Sequence, residues 1–516
     1  MANSAPGVNI NILNAATTPA SQSSTSNWFV LGMAAGPAGV AVPIKSMSDF
    51  TNYFGQIING GLTGRYTLNA TVDSTLLYDS LDVFFREGGS SAWVSRVQPT
   101  SSGVAATSTT TGGKFLLTAT GKGTWANSSI ASAAGLILTL TASTVGAVTV
   151  QTAVLAYNGV TLATTSGIVT DTDVVNWINS LPGYQSMCVA SSQAGTTVLP
   201  ASGSSVSVYL TGGTDVAVAD ADSAPALAVF TDTFGPGQVS YPGVTTSTVY
   251  TNLANHCQTF GRVAFLDGAN TPTANTLLTA SSTLQTSATD SSYAAFFAPW
   301  LIVPGYVNTN PAVLTSTVFN RTVPPCALAA ALVSVSDQNN DCNVPAAGTT
   351  HGASKYAINL TQSYIVSDRA NLNNAGINVI RNVPNVNVIA LYGFRSASYL
   401  PLWANLANVR FRMQMTRDLD AIGEQFVFNE IDGKGQIFAA FNGSLAGQLQ
   451  SYWLRGSLYG LNPENSFNVV TDGTVNTPTT IAAGQLNASI NVRMSPFAEF
   501  VTINITKYLA NVNIPV

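Results

Sequence analysis

Hydrophobic and polar positions fall into two textures along this chain. Near the start, Val8, Ile10 and Ile12 alternate with polar residues after Pro6-Gly7. Period two puts them on one face of an extended strand with no neighbour in sequence to pair with. Thr17–Ser26 is small and polar and reads as a flexible linker. Trp28–Met33 is predicted as a buried strand, and Ser48–Phe54 as a helix start with Ser48 as N-cap. Leu77, Leu81, Phe84 and Phe85 share one face of a helix over Leu76–Phe85. Gly88-Gly89 ends it, and Ala92–Val97 follows as a strand. This is an α/β texture.

Thr100–Gly113 is low-complexity Ser/Thr/Gly, and the texture then changes. Residues 114–213 are short Thr/Val/Leu/Ala runs of period two around one predicted helix, Asp173–Leu181. They read as an inserted β-rich domain. From about Ala224 the α/β texture returns through Val263–Leu266, Tyr293–Ile302 and Ala327–Val335. Phe411, Met415, Leu419, Ile422 and Phe426 recur at helical spacing, with Arg410, Arg417 and Glu424 on another face. A second helix over about Ile437–Leu458 carries Phe441, Leu445, Leu449 and Tyr452 on one stripe. Strands are predicted at Ser466–Val470, Gln485–Arg493 and Glu499–Thr506. Val512, Ile514 and Val516 alternate again at the end.

The fold class is therefore mixed α/β, or α+β, and multidomain. The divisions are an extended arm and linker (1–26), an α/β core (27–113 with 214–375), the β-rich insertion (114–213), a C-terminal domain (376–507) and a second arm (508–516). A terminal strand must satisfy its backbone donors and acceptors. It folds back on its own subunit or adds to the sheet edge of another copy. Exchange in one sense between copies is heterologous and builds a ring or an open helix.

Composition narrows the functional classes. The 516 residues suggest roughly three domains at about 150 residues each. Charged residues make up 8% and hydrophobic residues 46%, against about 25% charged in ordinary soluble domains. The apolar stretches, such as Ala133–Val150, are broken by Ser, Thr and Gly and read as strands and turns, so no membrane insertion is expected. Met1–Asn14 has neither a basic start nor an apolar block, so no signal peptide is expected. A surface of amides and hydroxyls repels its own copies weakly, which suits a dense homopolymer. The net charge of −5 gives no reason to expect nucleic-acid binding. Residues 376–516 hold nine Lys and Arg against eight Asp and Glu, whereas residues 1–375 hold ten against sixteen. Cys188, Cys257, Cys326 and Cys342 are too few for a disulfide framework and read as buried thiols.

No catalytic, cofactor or metal constellation stands out. His256 and His351 have no ligand spacing with the cysteines. Thr120-Gly121-Lys122-Gly123-Thr124 superficially matches a phosphate loop, but Leu116 stands where its first glycine belongs. Asp337, Asn339 and Asp341 have calcium-loop spacing, yet Cys342 replaces the turn glycine, and a polar turn is expected instead. There is no Gly-x-Ser-x-Gly elbow. Asp418 and Asp420, two apart on a helix, diverge.

Ordered segments over about residues 365–507 resemble the tail sheath proteins of contractile-tailed phages (myoviruses). Asp368–Arg381, with Leu372-Asn373 and Gly376-Ile377-Asn378, is similar to that family's "Leu-Asn … Gly-Ile-Asn … Ile-Arg" segment. Leu391–Ser396 resembles its "Trp-Gly-Ala-Arg-Thr" strand, with Tyr392 and Phe394 substituted. Asn408–Arg412, Phe426–Glu430, Gly456–Gly460, Asn476-Thr477 with Gly484, and Pro496–Phe500 follow in the family's order. Weaker similarity reaches upstream through Gly36-Pro37, Phe84-Phe85, Gly121–Asn127, Gly212–Asp215 and Val323–Pro325.

The resemblance implies a non-enzymatic virion protein, assembled in the host cytoplasm, that works as a helical homopolymer around a tail tube protein. It implies baseplate and tail terminator proteins as further partners, no cofactor, and contraction that drives the tube through the host envelope for genome ejection. The arms, through Val8, Ile10, Ile12, Val512, Ile514 and Val516, would knit copies by strand addition. The C-terminal domain would face the tube, with Arg410, Arg412 and Arg417 as a charged patch there. The sheath of a headless, tailocin-like particle is the near alternative. A β-rich adhesin or tail fibre, suggested by residues 114–213, belongs to a different class.

Overall fold

The computed structural model describes residues 25–33, 36–54, 75–101, 103–108, 113–131, 134–182, 185–305, 320–499 and 507. These fall into two compact units, divided between Met415 and Thr416.

The first unit is organised by an eight-stranded sheet. Its order is Val388–Leu391, Ile377–Val383, Ala294–Ala298, Val263–Asp267, Gln238–Ser240, Trp28–Gly32, Ala92–Arg96, Ala41–Ile44. The six central strands are parallel, with an antiparallel strand at each edge. Parallel strands need cover on both faces, which explains their near-continuous apolar runs. Phe29, Leu31, Ala264, Leu266, Phe296 and Ile377 pack on one face with Leu253, Leu277, Leu284 and Leu372 of the helices Ser247–Phe260, Ala274–Ser287 and Val366–Asn374. On the other face Trp28 meets Phe84 of the helix Thr75–Arg86, ring centroids 4.8 Å apart. The helix Pro325–Asn339 is buried from Pro325 to Ser334, as a helix apolar all round must be. Pro43 sits in the edge strand Ala41–Ile44, where its missing N–H does least harm.

Strand order reverses between Trp28–Gly32 and Gln238–Ser240, the place where open α/β sheets commonly hold ligands. Here it is packed with side chains. A Cβ on Gly32 would lie 2.5 Å from Leu77 Cδ2, and the Trp28 indole donates to Ser240 Oγ at 2.9 Å.

The insertion forms a second, seven-stranded and wholly antiparallel sheet. Its order is Val160–Ile168, Val148–Tyr157, Leu136–Val145, Ser205–Thr211, Ala105–Ser108, Phe115–Lys122, Cys188–Ser192. Phe115–Lys122 alternates strictly between buried and half-buried, the period-two signature of the sequence. Phe115, Leu138 and Leu155 pack with Val174 and Ile178 of the helix Asp171–Ser180. That helix starts in a capping box. Thr170 Oγ1 accepts from the Asp173 N–H, and Asp173 Oδ2 accepts from the Thr170 N–H. These bonds hold the Asp173 carboxyl below its ordinary range. Asn158 (φ 48°) and Gly159 (φ 80°) make the tight turn between two strands, a type I′ geometry that suits these residues.

The second unit packs the end of the helix Leu406–Gly423 on the helix Gln436–Leu454 through Ile422, Phe441 and Leu445. Leu419, Phe426, Val469, Leu486 and Ile490 close this core. Asp418 is buried and accepts from the Tyr452 hydroxyl at 2.5 Å; burial, and then this hydrogen bond, push the phenol's pKa up.

Several expectations differ from the fold. Ser46, not Ser48, caps the first helix: its Oγ accepts from the Asp49 N–H, and the helix spans Met47–Phe54. The sheet continues through Ile377–Val383 and Val388–Leu391, so a domain edge at 375/376 would cut it. Asp337 and Asn339 belong to the last turn of a helix, not to a polar turn. The strand expected over Gln485–Arg493 is confined to Ser489–Val492, and most of the strand expected at Glu499–Thr506 lies outside the described residues. No described helix is long and apolar enough to cross a membrane. All four cysteines are buried free thiols.

Candidate interaction surfaces

The arm residues Val8, Ile10, Ile12, Val512, Ile514 and Val516 lie outside the described residues. A short two-stranded sheet in the second unit is described. In the second unit Phe467–Val470 pairs antiparallel with Ser489–Val492 in a two-stranded sheet. Among the described residues no further strand extends it on either side. A two-stranded sheet is marginal alone, and its outer backbone groups are a template for another strand. The sheet is braced from within its own unit. Asn442 Nδ2 donates to the Val469 carbonyl at 3.0 Å. Asn476, nearly fully buried, donates to the carbonyls of Thr471 and Asn487 and accepts from the Asn487 N–H. Thr477 then caps the short helix Pro478–Ala482.

The three arginines read as a surface patch have different surroundings. Arg410 is 2% exposed; it is ion-paired to Asp337, and its Nη1 donates to the Cys342 carbonyl at 3.2 Å. Its charge is neutralised inside the first unit, so Arg410 is not part of a charged surface. Arg412 is half-buried, stacked 4.1 Å from the Trp403 ring and 4.6 Å from Tyr293, with Nη2 donating to Ser292 Oγ. Arg417 is half-buried in the second unit. Helical spacing shows which residues share a stripe, but not which charges a neighbouring element neutralises.

The segments behind the family resemblance serve structural roles. Gly376 has φ 75°, and a Cβ there would lie 2.1 Å from the Ser396 carbonyl oxygen. Asn378 is fully buried; its amide donates to the carbonyls of Phe296 and Arg395 and accepts from the Arg395 N–H at 2.6 Å. One side chain thus ties two strands to the chain that follows them. Arg381 stacks 3.7 Å from the Tyr392 ring, the aromatic of the next motif.

The phosphate-loop lookalike is the seam between the eight-stranded and seven-stranded sheets of the first unit. Arg96, buried at the end of its strand, donates to the Gly36 carbonyl at 2.7 Å and the Lys122 carbonyl at 2.5 Å. Burial lowers its pKa to about 10. Lys122 Nζ reaches back to the carbonyls of Pro99 and Thr100. Asp215 accepts from the Thr124 N–H and hydroxyl. The glycines are there because a Cβ on Gly121 would lie 2.3 Å from Arg96 Nη1, and one on Gly123 2.6 Å from Asp215 Oδ1. Among the described residues no group of three or more His, Cys, Asp or Glu is placed to hold a metal ion.

No family model and no curated protein matches this sequence. Solved structures do. The chain is similar, at 16% identity and a TM-score of 0.54, to a sheath chain of an extracellular contractile injection system (PVC) in the contracted state, with 98% of each chain covered. It is similar, at 15% identity and a TM-score of 0.53, to the helical sheath of the anti-feeding prophage in its contracted state, over 98% of this chain and 99% of that one. The sheath tail protein Lin1278 of Listeria innocua matches at 14% identity and a TM-score of 0.55, over 88% of this chain and 89% of that one. The chain has the mixed α/β fold of contractile sheath proteins.

Proposed function

We propose that the chain is the structural subunit of a contractile tail sheath, polymerising helically around a tail tube and shortening to drive that tube through a host envelope. The observation that carries this is the likeness to sheath chains over nearly the whole length, insertion and C-terminal unit included. The two-stranded sheet supplies a mechanism for assembly. Arms from neighbouring copies, one through Val8, Ile10 and Ile12 and one through Val512, Ile514 and Val516, extend it by strand addition. Neighbours remain tied through these strands while whole units move as rigid bodies and the linker Thr17–Ser26 absorbs the change. No nucleotide or cofactor enters this mechanism, and no catalytic step is assigned to the chain. Its partners are other copies of itself, the tube protein, and the baseplate and terminator proteins at the two ends. Arg412 and Arg417 remain candidates for the tube-facing side; the burial of Arg410 removes it.

A sheath of a headless injection particle is the second reading, favoured by the likeness to the extracellular injection system and anti-feeding prophage chains. Capsid genes beside this one separate it from a phage tail.

The test is assembly. Purified full-length protein is expected to sediment as large polymers, and a variant lacking Met1–Asn14 as a folded single subunit. Normal polymers from the shortened chain would refute strand donation by the first arm. A stable glycan-binding monomer or trimer would support the adhesin class instead.

A further inference from the structure

The second unit carries two features that its own core leaves open. One is a cavity of about 750 Å³, lined by Phe426, Phe428, Phe441 and Leu486, with Asp420 and Glu424 on its wall. Phe428, at φ 64°, is in the left-handed region that bulky residues avoid, and its side chain is fully exposed. Among the described residues neither Asp420 nor Glu424 has a hydrogen-bond or ion-pair partner.

The other feature is a protrusion where the helix Gln436–Leu454 ends. Leu454 is 70% exposed, Tyr459 55% and Leu461 92%. These side chains are held out by a fixed loop. Trp453 Nε1 donates to the Gly460 carbonyl at 2.9 Å, the Tyr459 N–H to the Arg493 carbonyl at 2.8 Å, and Ser466 Oγ to the Asn462 carbonyl. Gly460 is required, since a Cβ there would lie 2.3 Å from Ser466 Oγ. A loop already held in one shape loses little freedom on docking. The exposed Arg455 lies beside it in sequence, its Nε donating to the Ser451 carbonyl at 3.3 Å and its guanidinium 5.1 Å from the Tyr452 ring.

We propose that the loop around Leu461 of one copy inserts into the Phe426–Phe441 cavity of the next, with Arg455 facing Asp420 and Glu424. A second copy is the occupant that fits both features: exposed apolar side chains beside a cation meet a cavity of aromatic side chains rimmed by unengaged carboxylates. Knob and cavity are different patches of one chain, so the contact is heterologous. Its repetition gives an open helix or a ring. The inference rests on the reading that the chain polymerises, and adds a side-chain contact independent of strand exchange.

Cysteine cross-linking of the full-length protein tests it, because the native cysteines are all buried. Leu461→Cys and Ala482→Cys, the latter on the cavity wall, are made separately and together. Under mild oxidation the double variant is expected to give a ladder of oligomers on a non-reducing gel. A mixture of the two single variants is expected to give dimers only. As a second measure, Arg455→Glu is expected to raise the concentration needed for assembly at least tenfold, and added Glu424→Arg to reverse most of that rise. Polymers that form without cross-links, and with no response to the charge reversals, would overturn the contact while leaving the sheath reading intact. A wild-type chain that never polymerises would sink both.

Discussion

Charged residues are scarce in this chain, and several of those present work in the interior. Arg321 donates to Asp79 at 2.9 Å and Asp82 at 2.6 Å, all three nearly buried, and so joins a strand to the helix Thr75–Arg86. Arg262 is fully buried, held by the carbonyls of Phe230, Thr231 and Gly235 and lying 4.3 Å from the Phe29 ring. His256 beside it, at 3.2 Å, has its pKa pushed down to about 4 by burial and then by the Arg262 charge. Arg410 belongs to this group. Removing one partner of a buried pair leaves the other charge uncompensated, at about 3–5 kcal/mol. Arg410→Ala is therefore expected to destabilise the first unit by that order and to lower its urea midpoint accordingly, because Asp337 loses its cation. Arg417→Ala, in the second unit, is expected to leave the first unit's midpoint nearly unchanged. Equal and small effects from both would return Arg410 to the surface.

Strands and helices were largely legible in the sequence, because burial on one or both faces imposes the period that pattern reading detects. Trp28–Gly32, the helix Gln436–Leu454 and the β-rich character of residues 114–213 all follow from such patterns. What escaped depends on contacts between distant segments. The strand order joining Ile377–Val383 to Ala294–Ala298 is fixed by the Asn378 amide, whose role no local pattern shows. Ser46 and Ser48 are equally good caps on paper, and Asp49 decides between them by position. The seam at Gly121–Thr124 looks like a nucleotide motif because tight backbone approach needs glycine whether the neighbour is a phosphate or Arg96. The seam also makes the insertion separable. Val104 and Thr214 are bridged, with the Thr214 N–H donating to the Val104 carbonyl at 3.1 Å, so the insertion enters and leaves at one place. Replacing residues 105–213 by a two-residue Gly-containing turn is expected to leave a folded α/β unit. It is expected to unfold at a somewhat lower temperature, since Arg96 loses the Lys122 carbonyl, and to polymerise like the parent. Circular dichroism and sedimentation check this; loss of polymers would make the insertion part of the assembly contact.

In the whole molecule, a fold shared with contractile sheath chains is combined with a C-terminal unit whose sheet has two strands among the described residues. The proposed strand addition would complete that sheet in the assembly. The most direct measurement is a helical reconstruction by electron microscopy of the polymer formed by the purified full-length protein. A hollow helical tube is expected, in which the Phe467–Val470 and Ser489–Val492 sheet of every copy is extended by strands from neighbouring copies. A non-helical particle, or a tube in which that sheet stays two-stranded, would contradict it.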